Sequence, residues 1–261
     1  MTSLNGKTAF ISGGSRGIGL AIASRLARGG ADVTISGSNP SHVEAAIATI
    51  SQTAAGRVAG HASDLRTLEG CQSAFDAHGN AFGSCDILVH SAGATKGGVF
   101  PDQADADFQD GFALKFHAAV RLSRLFWPSL ADTNGNVVMI VGGAARTPDP
   151  GFMVGGAVNA ALANFSKALA GQGLMDDVNV NWVILGQTET DRLQQLLAAR
   201  AEHENKTIDE VRAERMSGEG IRRLGKPEDT AALVAFLCSD EARHIHGTGI
   251  SVDGGATKGF F

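Results

Sequence analysis

The stretch Ser12-Gly13-Gly14-Ser15-Arg16-Gly17-Ile18-Gly19 carries the clearest chemistry in the chain. It lies between an apolar run, Thr8-Ala9-Phe10-Ile11, and a segment of helical periodicity, Leu20 to Ala27. Strand, glycine-rich turn and helix, in that order, form the context in which such glycines bind a dinucleotide. Gly13 permits a tight turn, Gly17 lets backbone approach a pyrophosphate, and Gly19 lets helix pack on strand. The helix start then offers unpaired N–H groups and a positive dipole end to phosphates. A merely structural glycine-rich turn is the alternative reading of the same residues.

These glycines need a scaffold, and the chain supplies it in alternating segments. Asp32 to Ser36 reads as a strand, followed by the turn Gly37-Ser38-Asn39-Pro40 and a helix around Val43 to Ile50. Strands are expected over about 57–62, before Asp64, and over Asp86 to His90, before Ser91-Ala92-Gly93. A long helix is expected over roughly 105–130, a strand over 137–141, and a helix from about Gly156 to Ala170. The strand Val178 to Leu185 ends at Gly186, Pro227 suits the first turn of a helix to Leu237, and Ile250-Ser251-Val252 makes the last strand. This alternation argues for an α/β fold, a Rossmann-like doubly wound parallel sheet with helices on both faces. No composition break divides it, so residues 1–261 read as one dinucleotide-binding domain. Ligands in such sheets bind beyond the carboxyl ends of the strands. The first glycine turn, Gly37, Asp64, Gly93, Gly142 and Gly186 should therefore meet on one edge. The polar stretch 191–216, inside a segment 187–220, reads either as a substrate-side lid or as a solvated helix.

Composition removes several classes of function. A net charge of −5, with no basic run, gives nucleic acid no footprint. No apolar stretch reaches membrane-spanning length, and the first residues lack the apolar core of a signal peptide. Cys71, Cys85 and Cys238 are scattered and form no CxxC pair, which suits free thiols in a reducing cytoplasm. His244-x-His246 is the only close histidine pair and has no accompanying carboxylate or cysteine pattern, so no metal site is expected. No GxSxG nucleophile motif occurs.

Several motifs fall in a familiar order. They are Ser12 to Gly19, Asp64-Leu65, His90-Ser91-Ala92-Gly93, the strand Asn179 to Gly186, Arg223-Leu224-Gly225-Lys226-Pro227-Glu228-Asp229 and Val252-Asp253-Gly254-Gly255. With them the chain resembles the short-chain dehydrogenase/reductase family over nearly its whole length. The resemblance implies that Gly13, Ser15, Arg16, Gly17, Ile18 and Gly19 cradle the cofactor. It implies that Asp64 and Leu65 lie at the adenine and His90, Ala92 and Gly93 beside the cofactor. It also implies that Gly186, Thr188 and Thr190 lie where the nicotinamide carboxamide is held. An acidic residue ending the second strand would repel a ribose 2′-phosphate, and Gly37-Ser38 stands there instead. Ser38 could donate a hydrogen bond and Arg16 pair with the phosphate, which favours NADP, with NAD as the alternative. Family members are commonly tetramers or dimers, so a homo-oligomer is expected, with Phe260-Phe261 available to an interface.

The resemblance fails where the family does its chemistry. Gly155 falls at the position of the proton-transferring tyrosine, Asn159 at the lysine, Gly142 at the serine and Lys115 at the asparagine. No other register rescues the tyrosine, because the chain contains 0 tyrosines. Hydride transfer to a carbonyl makes an alkoxide, and a positioned acid is worth about 10²–10⁴ in rate. The glycines should also leave room for a bulkier group or water. Asparagine and lysine have exchanged places between 115 and 159, so an ammonium and an amide remain near the nicotinamide ribose. Lys115 could then act as the acid, with its pKa tuned by burial or charge. The plainer reading is a lysine that only points its charge into a wet cleft. His90 and His117 are further proton donors on paper, and Lys96 could line the cleft. The leading expectation is an NADP-dependent oxidoreductase of a small carbonyl or alcohol substrate, with an atypical site. A non-redox enzyme using Lys115 and a silent cofactor-binding subunit or sensor are the alternatives.

Overall fold

Strands β1 (Thr8–Ser12) and β4 (Ile87–His90) are buried at every residue, which is why they read as unbroken apolar runs. In the computed structural model, which describes residues 3–259, they form the centre of a seven-stranded parallel sheet. The others are β2 (Asp32–Gly37), β3 (Val58–Ala62), β5 (Asn136–Gly142), β6 (Asn179–Leu185) and β7 (Gly249–Val252). Their order is β3-β2-β1-β4-β5-β6-β7, so the winding reverses between β1 and β4. Such a reversal opens a crevice at the carboxyl edge.

Side chains alternate across each strand and divide the core in two. Ala9 and Ile11 pack with α1 (Gly17–Arg28), α2 (Pro40–Ser51) and α9 (Pro227–Leu237) on one face. Phe10 packs on the other face with α3 (Leu68–Phe82), α5 (Ala118–Asp132) and α6 (Met153–Asp176). The Phe10 and Phe126 rings lie 4.9 Å apart, and both contact the buried His78 ring. Cys71, Cys85 and Cys238 are free and buried.

Three departures from the sequence reading matter. The expected single helix over 105–130 is α4 (Asp105–Gly111), then a π-helical turn over Phe112–His117, then α5. The polar region 191–216 is two helices, α7 (Asp191–Glu204) and α8 (Ile208–Glu219). Asn205 ends α7 at φ 53°, and a Thr207–Glu210 capping box starts α8. They are not wholly solvated: Leu193, Leu197, Val211, Ile221 and Leu224 form a small core of their own. Helix α3, between β3 and β4, has no counterpart among the expected elements; Gly70 and Gly79 weaken its helical pattern. Among the described residues no helix is long and apolar enough to cross a membrane. Phe260 and Phe261 lie outside the described residues.

His90 closes β4 and is buried, with Nε2 3.0 Å from the Ser123 hydroxyl and Nδ1 without a partner among the described residues. Burial pushes its pKa down to about 3, and burial also lowers that of His78. Below pH 6.5 the unfolded chain binds protons that the folded chain refuses, so stability falls as pH drops toward 3. His90 alone should cost about 2 kcal/mol between pH 7 and pH 5. Denaturant unfolding of His90→Asn should show a decline smaller by that amount; an unchanged decline would remove His90 as its source.

Candidate active site

The first glycine turn is pressed against the end of β4. The Ser12 hydroxyl accepts hydrogen bonds from the Ser91 and Ala92 N–H groups at 3.2 and 3.3 Å. Gly13 has φ 69°, and a Cβ there would lie 2.7 Å from the Ala92 Cα. A Cβ at Gly19 would collide with the Gly13 carbonyl oxygen. Both glycines are therefore required by space, and Gly13 by torsion as well. Helix α1 starts at this turn with no side-chain cap and no acid in its first turn. By contrast Asn39, Thr67, Thr190 and Thr207 cap α2, α3, α7 and α8. An uncapped positive helix end beside a glycine cradle suits a phosphate.

A cleft of about 590 Å³ opens along this edge. Among the residues singled out above, Gly13, Ser15, Arg16, Gly17, Ile18, Gly19, Gly37, Ser38, Asp64, Leu65, Ala92, Gly93, Lys115 and Thr190 line it. His90, Asn159, Gly186 and Thr188 do not. His90 is behind the wall, and Thr188 turns its hydroxyl to the Gly186 carbonyl at 3.2 Å. Residues that sequence reasoning missed also line the cleft, chiefly Ser63, Arg66, Asp191, Arg192 and Gln195. Ser63 adjoins Asp64 and was within reach of the motif; Arg192 sat in a polar helix with no local signal. The Ser63 hydroxyl is buried with no partner among the described residues, a donor that a bound nucleotide would satisfy. Arg16 is exposed and takes no ion pair among them, whereas Arg66 is held by Asp64 and Asp110.

Lys115 stands on the π-helical turn, a distortion that often accompanies function. Its stem packs on Gly93, where a Cβ would lie 2.9 Å from the lysine Cδ. No hydrogen bond or ion pair to another described residue holds its ammonium. Burial first, and the Arg192 charge second, push its pKa down to about 8. Arg192 reaches from α7 to donate to the Thr95 carbonyl at 2.5 Å. The other proton donors on paper fall away from the cleft: His117 is exposed, and Lys96 pairs with Asp107 at 2.8 Å. His246 bridges the Val180 N–H and the Ala170 carbonyl, a structural task. Among the described residues no cluster of three or more His, Cys, Asp or Glu could hold a metal.

The room expected at Gly142 and Gly155 does not exist. Asn159 is buried; its Oδ1 accepts from the Gly142 N–H at 2.6 Å and its Nδ2 donates to the Gly155 carbonyl at 2.7 Å. A Cβ at residue 142 would lie 3.0 Å from that Nδ2. At residue 155 a Cβ would fall into the Phe152 ring. Amide and ring thus fill the space beside both glycines.

A parallel sheet in this order, with a glycine-cradled cleft at its switch point, defines a dinucleotide-binding α/β protein. The comparisons agree and go further. The family model described as enoyl-(acyl carrier protein) reductase matches residues 13–257. The uncharacterized oxidoreductase YvaG of Bacillus subtilis is 32% identical over 265 residues, 99% of each chain. The L-sorbose reductase of Gluconobacter frateurii, solved with NADPH and L-sorbose, superposes with a TM-score of 0.94 at 29% identity over 98% of each chain. A short-chain dehydrogenase of Burkholderia cenocepacia, solved with NADP, has a TM-score of 0.85 at 34% identity, covering 97% of this chain and 98% of its own. The chain belongs to the short-chain dehydrogenase/reductase family of oxidoreductases.

Because Asn159 Oδ1 accepts from the half-buried Gly142 N–H, Asn159→Ala strands that donor, while the Gly155 carbonyl keeps its partner within α6. The substitution should destabilise the fold by about 1–3 kcal/mol, read from denaturant unfolding. A change within experimental error would mean that water replaces the amide. Gly155→Tyr alone should fold poorly because Phe152 fills its site, and Phe152→Ala should relieve the loss; equal stability of the single and double variants would contradict that packing.

Proposed function

We propose that this protein is an NADP-dependent oxidoreductase that interconverts a small carbonyl compound and its alcohol, with Lys115 as the proton-exchanging group. The observation that carries the reading is an ammonium in the cleft, unpaired among the described residues, with its pKa pushed down to about 8. NADP is supported by the NADPH and NADP complexes of the two structural relatives. It is supported further by Gly37-Ser38 ending β2 without a carboxylate, and by the exposed Arg16 at the start of α1. When bound, the cofactor supplies or accepts the hydride.

The chain's own residues do the rest. The first glycine turn and the α1 N–H groups would hold the pyrophosphate, Arg16 and Ser38 the 2′-phosphate, and Asp64, Leu65 and Ser63 the adenosine end. Lys115, as the ammonium, donates a proton to the carbonyl oxygen as it gains negative charge. In the reverse direction its neutral amine takes the hydroxyl proton. Asn159 is a positioning residue, tying the end of β5 to α6 rather than exchanging protons. We read α7 and α8, within 187–220, as a substrate-side lid, since Arg192 reaches across to Thr95. Three buried free thiols fit a reducing cytoplasm. Leu174 and Met175, 75% and 73% exposed on α6, fit association of the chain with itself as a dimer or tetramer.

Lys115→Met should lower turnover by about 10²–10⁴ while leaving NADPH affinity within a few-fold. In the native enzyme, reduction needs the ammonium, so its rate should fall as pH rises through about 8; oxidation should rise through the same value. A Lys115→Met enzyme of full activity would end this reading. Fluorescence titration should show NADPH bound at least about tenfold tighter than NADH, with Arg16→Ala narrowing the gap. Equal affinities would return the cofactor to NAD.

A further inference from the structure

Six charged side chains line the cleft: Arg16, Asp64, Arg66, Lys115, Asp191 and Arg192. Asp64 and Asp110 neutralise Arg66, and Arg16 lies at the phosphate turn. Asp191 forms no ion pair with any described residue. Asp191 stays in the lining as a carboxylate beside Arg192 in sequence, and Lys115 and Arg192 are two cations from separate elements brought to the same cleft, neither in an ion pair with a described residue. They act on each other, since the Arg192 charge helps to hold the Lys115 ammonium below its usual range. Two like charges in a partly desolvated cleft are unfavourable until an anion joins them.

The surroundings narrow what that anion is. The Lys115 stem lies against Gly93, and the apolar side chains of Leu114, Ile140 and Leu185 line the same cleft. The Thr95 carbonyl fixes one nitrogen of Arg192, and its other N–H groups take no partner among the described residues. An oriented guanidinium matches a carboxylate with two parallel hydrogen bonds, which a lysine cannot do. We infer that the substrate carries a carboxylate beside its reacting carbonyl, an oxo acid or the matching hydroxy acid, with Arg192 as the residue that selects it. The inference rests on the oxidoreductase reading for the carbonyl, but the carboxylate contact is a binding property in its own right. Arg192 holds the acid group, and Lys115 is left to face the oxygen that changes its protonation.

The test is calorimetric and needs no turnover. Oxamate and oxamide, and benzoylformate and its amide, are titrated into the NADP-saturated protein and into the protein alone. In at least one pair the anion should bind about tenfold tighter or better than its neutral partner, and Arg192→Gln should abolish the preference. Arg192 is exposed, so the variant should keep its thermal midpoint and its NADPH affinity. Equal binding or no binding of the charged and neutral probes in both pairs overturns the inference, as does a preference that survives Arg192→Gln. A variant with weakened NADPH binding and an unchanged probe preference would assign Arg192 to a cofactor phosphate and equally overturn it. Failure of the native protein to bind NADPH at all is a different outcome: it defeats the oxidoreductase reading. The probes titrated into the protein alone still decide the carboxylate contact.

Discussion

The structure depends on how closely the chain passes itself where β1 ends. Residue 13 has no room for a Cβ against Ala92, and Ser12 clips the Ser91 and Ala92 backbone with one hydroxyl. That contact sets the distance between β1 and the end of β4, the two strands at which the winding reverses. It also places the uncapped start of α1 at the mouth of the crevice. Cleft, phosphate cradle and both apolar cores follow from one crossing, because the flanking strands are buried on both faces and cannot shift to accommodate an extra atom.

Where the end of β5 meets α6 the constraint is one of space. The Asn159 amide and the Phe152 ring crowd Gly142 and Gly155, so neither glycine has open space beside it. Asn159 hydrogen-bonds two backbone groups, which a lysine at that position could not do, since an ammonium accepts no hydrogen bond. Lys115 enters the cleft from a different element, the turn between α4 and α5. Lys115 reaches the cleft because the backbone between α4 and α5 is locally widened to a π-helical turn, and because Gly93 makes way for its stem. Burial there lowers the pKa of an amine that has no hydrogen-bonding partner among the described residues.

The helical pair α7 and α8 joins this cleft to the solvent side. The small core that it shares with Ile221 and Leu224 holds the pair together, and Arg192 ties it to the Thr95 carbonyl in the loop after β4.

Much of the fold was legible in the residues. Apolar runs of strand length, broken by glycine and polar turns, specified the parallel sheet, because strands buried on both faces admit almost nothing else. The glycines of the first turn were legible for the same reason, since their spacing reports backbone torsion and close approach. The missing tyrosine was certain from composition alone. Tertiary structure decided what local pattern cannot encode. It put the Phe152 ring into the space at Gly155, set Asn159 between Gly142 and Gly155, and buried His90 behind the wall instead of on it. It also brought Arg192, 77 residues from Lys115 by number, to the same cleft. Those outcomes depend on which surfaces meet after the chain has folded, and neighbours in space leave no mark on a single sequence.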